Sequence, residues 1–298
     1  MTVVAVNRSV LVLGLGLLLG VACAKAPRTP SSVEAPSPSA PAQPEAVAAP
    51  GITCPPGAEI ETQDGGSVRM CVLDGVVHGE FARFGPGDVP LERVQYEHGE
   101  LHGAYAVWDE SGTLRVEGRF EGGHAVGTWH WYTPDGAPWI ESEGPHFVEY
   151  GPAGHPRFVR DARGDHAFAE DGSERPLESY VVSLASTPVR PHSVDGSLQI
   201  TLAQTPKERI EHYAPRPGST CVVARPVEEE GWPIADDLEV EVTVSHRHPL
   251  PPMLGASLHP SAEALHRSSG SIRLSLLGTL TTLPGVVFVT ELACGSPC

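Results

Sequence analysis

The sharpest chemical pattern in the chain is His246-Arg247-His248. Residues two apart on a strand point to one face about 6.5–7 Å from each other, so two imidazoles at this spacing could share a metal ion. No third ligand is identifiable, and among 14 histidines one such pair is unremarkable, so these are read as loop or rim residues and no metal ligand is assigned. Glu228-Glu229-Glu230 stands beside Gly231 and Pro233, where a solvated loop is expected. Serine, histidine and aspartate are plentiful. Yet the chain has no Gly-x-Ser-x-Gly elbow, no phosphate-cradling loop, no His-Glu-x-x-His helix and no dinucleotide fingerprint. No catalytic residue and no cofactor can be named, and the expectation is a non-enzymatic protein.

The elements that would position such residues are set first by composition. Proline (30) and glycine (32) make up about a fifth of the 298 residues, which implies folded units joined by linkers. A net charge of −17 with a pI near 5.2 argues against nucleic acid, because neutralising phosphates needs a basic face.

The N-terminus indicates the compartment. Arg8 and the free amino group precede an apolar run from Val10 to Val21. As a helix this run would span only about 18 Å, short of a membrane crossing, and it reads as a signal peptide. Its end, Gly20-Val21-Ala22-Cys23, resembles the lipobox of bacterial lipoproteins, with Gly20 where leucine is usual. The resemblance implies lipidation of Cys23. Ala24, in place of the aspartate typical of inner-membrane retention, implies the outer membrane. The alternative is an ordinary small-x-small cleavage site, Ala22-Cys23-Ala24, which would release a soluble secreted or periplasmic protein. Pro27 to Pro50 has no aromatic residue and cannot bury enough apolar surface to offset its ordering entropy, so 24–52 is read as a disordered tether.

A repeat of 24 residues follows. Gly75, Gly99 and Gly123 keep this spacing, as do Gly79, Gly103 and Gly127. Phe81, Tyr105 and Trp129 form one aromatic column and Phe84, Trp108 and Tyr132 a second, while Gly112 recurs as Gly136 and Tyr96 as Phe120. Each repeat reads as a β-hairpin with glycines at its turns. The columns have opposite parity along the strand, which places them on opposite faces of a sheet.

These residues resemble the MORN repeat variant family, as in Gly103-Ala104-Tyr105-Ala106-Val107-Trp108 through Gly112 and Gly127-Thr128-Trp129-His130-Trp131-Tyr132 through Gly136. The likeness covers Gly75 to Gly144. It implies a structural or interaction surface, and for some bacterial variants an antitoxin label, which for an exported chain would mean an immunity-like role. The six column residues are the candidate binding stripe, for a protein or glycan at the envelope or for a lipid.

Cysteine usage suits an oxidising compartment. Cys54 and Cys71 flank Ala58 to Arg69 with its turn signal Asp64-Gly65-Gly66, and their disulfide would clamp a hairpin capping the open end of the repeat sheet. Cys221 would pair with Cys294 or Cys298.

Beyond Gly144 the register is lost, and 145–176 is read as a connector with at most one decayed hairpin. Leu198, Ile200 and Leu202, then Leu238, Val240, Val242 and Val244, alternate with polar residues as half-buried strands do. Further strands are expected at Ser179 to Ala185, Cys221 to Ala224, Ser271 to Leu277 and Val286 to Cys294, with a trace of helix at Ser261 to Arg267. The architecture expected is all-β: the signal in 1–23, a disulfide-capped repeat sheet in 53–144, and an antiparallel β-sandwich-like domain in 177–298. The alternative function is a metal-dependent or carbohydrate-active enzyme in that last domain, which needs a pocket at His246 and His248.

Overall fold

The computed structural model describes residues 51–204, 224–228, 232–247, 249–261, 264–283 and 285–291. Cys23, the tether up to residue 50, Cys221, Glu229, Glu230, His248, Cys294 and Cys298 lie outside them. All described residues belong to one compact unit, Ala48–Cys298.

The fold is all-β. Twelve strands follow one another in an antiparallel sheet with neighbours in sequence order: β1 (Glu59–Gln63), β2 (Val68–Leu73), β3 (Val76–Phe84), β4 (Pro90–Glu97), β5 (Glu100–Trp108), β6 (Leu114–Glu121), β7 (His124–Tyr132), β8 (Pro138–Glu143), β9 (His146–Tyr150), β10 (Pro156–Asp161), β11 (Gly164–Phe168) and β12 (Glu174–Arg175).

Each glycine column has its own backbone task. Asp74-Gly75, His98-Gly99 and Gly122-Gly123 are two-residue loops in which both residues have positive φ, from 51° to 88°. This is the type I′ hairpin turn, whose twist matches that of the strands. Gly79, Gly103 and Gly127, at φ 107°, 76° and 63°, sit where the pairing register slips, so each forms the bulge of its strand.

The sheet does not stop at Gly144; 145–176 is not a connector but four further strands. The turns that close on Gly112 and Gly136 recur at Gly154 and Gly172, with the same backbone bonds (Asp109 N–H to Thr113, Thr133 to Ala137, Gly151 to His155, Ala169 to Ser173). The spacing contracts from 24 residues to 18, counted from Gly136 to Gly154 and on to Gly172. The β8–β9 and β10–β11 pairings run without the bulge, and β9 to β11 have only 5, 6 and 5 residues.

At the other end, Cys54 and Cys71 are disulfide-bonded, 17 residues apart, and Cys71 is fully buried with Ile52, Ala82 and Phe84. The clamp ties the segment before β1 across the first strands. Closing a loop of this length removes about 3 kcal/mol of unfolded-state freedom. Cys54→Ala/Cys71→Ala is therefore expected to lower the unfolding free energy by about 3 kcal/mol, read as a lower urea midpoint; coincident midpoints would mean the clamp does not stabilise the sheet.

Among the described residues the second sheet has five strands: β13 (Ala224–Pro226), β14 (Leu238–His246), β15 (Ala256–Ser261), β16 (Ala264–Arg273) and β17 (Val286–Glu291). Central β14 buries every second residue, as its alternation requires. Its apolar face joins a core with Phe147, Phe158 and Ala167 of the hairpin sheet and with helices α1 (Leu177–Ala185) and α3 (Leu277–Thr282).

Several expected strands are helices. Ser179 to Ala185 lies in α1, whose buried residues Tyr180, Val181 and Leu184 have helical spacing. Leu198 to Leu202 lies in α2 (Gly196–Ala203), where Asp195 caps the helix by accepting the Leu198 N–H at 2.8 Å. Ser271 to Leu277 leaves the strand at Arg273, turns through Leu274–Leu276 and enters α3. The expected helical trace at Ser261 to Arg267 belongs instead to β15 and β16, with 262–263 outside the described residues.

Candidate interaction face of the repeat sheet

The two aromatic columns lie on opposite faces, as their parity requires. Phe81, Tyr105 and Trp129 share a face with Val94, Tyr96, Phe120 and Trp131, while Phe84 packs on the other with Ile52 and Ala82. On the first face the rings form a ladder across neighbouring strands. Tyr105 stands 5.5 Å from Phe120 and 5.7 Å from Trp129, and Trp129 stands 5.0 Å from Phe120 and 6.1 Å from Trp131. The indole of Trp129 lies against Gly118, where a Cβ would come within 2.2 Å of the ring.

This mutual cover corrects the expected binding stripe. Tyr105, Trp129, Phe84 and Tyr132 are 1%, 5%, 3% and 6% exposed, and only Phe81 and Trp108 remain half-buried. Strands lie about 4.8 Å apart, closer than an aromatic ring is wide, so rings in one row shield one another.

Charged groups support both faces. Glu92, 3% exposed, accepts the Tyr105 hydroxyl at 3.2 Å and the Arg83 Nε–H at 3.2 Å. Burial and then the Glu92 charge push the Tyr105 phenol well up from its ordinary value. On the opposite face Tyr132 donates to Glu117 at 2.5 Å, and His130 lies between Glu117 (3.9 Å) and Glu141 (3.5 Å). Burial and Glu117 likewise raise the Tyr132 phenol. In the shared core Tyr180 donates to buried Glu149, with the guanidinium groups of Arg157 and Arg175 5.4 and 5.6 Å from its ring. Sequence reading singled out neither Glu92 nor Glu149. For Glu92 a signal was present, because its parity is that of Val94 and Tyr96.

Of the remaining candidates, His246 and Glu228 are among the described residues. His246 is 4% exposed, and its Nε2 lies 2.9 Å from Ser268 Oγ. It thus lies on the core side of β14, bonded through Nε2 to a neighbouring strand. The depression beside it, about 350 Å³, is lined by Arg247, Gly285, Val286 and Val287. Glu228 is at the end of a described loop segment. Among the described residues no three of His, Cys, Asp and Glu gather as a ready-made metal cluster, and no helix is long and apolar enough to cross a membrane.

One end of the ladder is occupied. The Trp131 indole N–H donates to the Pro249 carbonyl at 3.0 Å, and Pro251, Met253 and Leu254 of the same segment are buried. At the other end Phe81, Tyr96 and Leu101 remain half-buried.

No family model and no curated relative matches the chain. Solved structures similar to parts of it include a chain of accessory secretory protein 1, 2 and 3 in Streptococcus pneumoniae, at 14% identity over 32% of this chain and 19% of that one, with a TM-score of 0.23. Another belongs to the GtfA/B complex bound to UDP and GlcNAc, at 15% identity over 51% and 39%, with a TM-score of 0.14. Both alignments span less than half of the chain they match, and likenesses this low carry no argument about fold or activity.

Proposed function

We propose that this protein is an envelope lipoprotein, anchored to the outer membrane through an acylated Cys23, and that its repeat sheet acts as a non-enzymatic scaffold and interaction module. The observation that carries this reading is the unequal use of the aromatic ladder. Toward β7 its apolar face receives the Pro249–Leu254 segment, so part of the sheet serves as a platform for the C-terminal region. Toward β3 to β5 the same face keeps Phe81, Tyr96 and Leu101 half-buried, on the side of the sheet that ends, beyond β2, in the edge strand β1, whose five residues are all exposed. Apolar rings with polar rims suit a protein or glycan partner.

Two measurements test the halves of this reading separately. Intact mass of protein extracted from native membranes should show a diacylglyceryl or triacyl group on Cys23, absent from Cys23→Ala; an unmodified chain beginning at Lys25 would end the anchoring claim. A photo-crosslinking residue at Leu101, compared with one at exposed Glu110, should give a discrete adduct in cells only at Leu101. Equal labelling at both, or none at either, would remove the interaction face.

A further inference from the structure

The topology collects histidines on one rim of the hairpin sheet. His78, His98, His102, His124, His146 and His166 all lie within three residues of the turns at Gly75, Gly99, Gly123, Gly144 and Gly164, whereas the opposite rim carries His155. They alternate with carboxylates of the same turns, and Glu97 already reaches His102 Nδ1 at 3.4 Å.

Two of these imidazoles are in contact. His78 on β3 and His98, in the type I′ loop between β4 and β5, have ring centroids 4.8 Å apart and planes tilted by 42°. An imidazole nitrogen binds zinc at about 2.0–2.1 Å, which puts its ring centroid about 3.2 Å from the ion. Two such ligands at angles between octahedral and tetrahedral hold their centroids about 4.5–5.2 Å apart. The observed separation falls inside that interval without any backbone movement. The His98 N–H donates to His78 Nδ1 over a long 3.3 Å, so little is lost if a metal takes that lone pair.

We propose that His78 and His98 form an open, two-imidazole site for a divalent first-row transition ion such as Zn²⁺, Cu²⁺ or Ni²⁺, with water completing the coordination. Neither ring is buried, so an ion has direct access. A metal takes the lone pair of an unprotonated imidazole nitrogen, so both rings bind as neutral ligands.

The test is calorimetric titration of the full chain, free of any metal-binding tag, with ZnCl₂ at neutral pH. The wild type should bind with a stoichiometry near one. His78→Gln or His98→Asn should each lower affinity by about tenfold or more, and the pair should abolish binding, while His155→Asn on the opposite rim leaves it unchanged. Asparagine suits position 98, where φ is 51°. Absence of binding to the wild type, or equal binding by the double variant, overturns the proposal. A second readout needs no substitution: Cu²⁺ should selectively broaden the amide resonances of His78 and His98, and uniform or distant broadening would equally count against the site.

Discussion

Trp129→Ala is expected to destabilise the protein by about 3–5 kcal/mol, the range for removing a buried aromatic ring. Its indole is the centre of the ladder, in contact with Tyr105, Phe120 and Trp131 and lying flat over Gly118. Gly118→Ala attacks the same contact from the other side. The new methyl would stand 2.2, 2.4 and 2.6 Å from Cδ2, Cε2 and Cε3 of a ring that its neighbours hold in place, at a cost of about 1–3 kcal/mol. The two losses should not add. Once the indole is gone the methyl has room, so Gly118→Ala in the Trp129→Ala background should cost almost nothing, leaving a coupling of about 1 kcal/mol or more. Urea unfolding of the four proteins measures it. Strict additivity would show that this contact does not exist in solution.

Asp237→Ala should cost about 3 kcal/mol or more, because the carboxylate is 7% exposed and accepts four hydrogen bonds. Oδ1 takes the backbone N–H groups of Leu238 (2.9 Å) and Ser275 (3.1 Å), while Oδ2 takes the Trp232 indole (3.0 Å) and the Ser275 hydroxyl (2.5 Å). Removing the acid strands buried donors from three segments: the loop at Trp232, the start of β14, and the turn before α3. Asp237→Asn keeps one carbonyl for the two backbone donors but turns an amide toward the indole, so an intermediate loss of about 1.5–3 kcal/mol is expected. Denaturant unfolding, with the Trp232 indole N–H resonance as a local probe, distinguishes the variants. Equal stability of Asn and wild type would mean that the charge is not used.

Legibility differed along the chain for physical reasons. In the first hairpins the 24-residue period, the turn glycines and the opposed parity of the aromatic columns are local properties, and the structure has them as read. At Gly144 the turns and pairing persist, but the glycine bulge and its extra residues drop out, so the 24-residue period is lost and the segment reads as a connector. In the C-terminal region, alternating Leu198, Ile200 and Leu202 suggested a strand, yet an Asp195 cap starts a helix. Three apolar residues in five cannot distinguish period 2 from period 3.6. Strand β14 was legible because nine residues of strict alternation fit no other element.

Hairpin succession, the positions of the type I′ turns, the two-faced aromatic columns and the Cys54–Cys71 clamp were thus determined by the sequence itself, since each rests on residue spacing along one hairpin. Which rings are buried was decided only by the tertiary structure. Burial depends on what neighbouring strands and the Pro249–Leu254 segment lay across a face, and no single hairpin encodes that. The same holds for the Asp237 hub, whose donors lie up to 38 residues away, and for the contact of His78 with His98, 20 residues further along the chain.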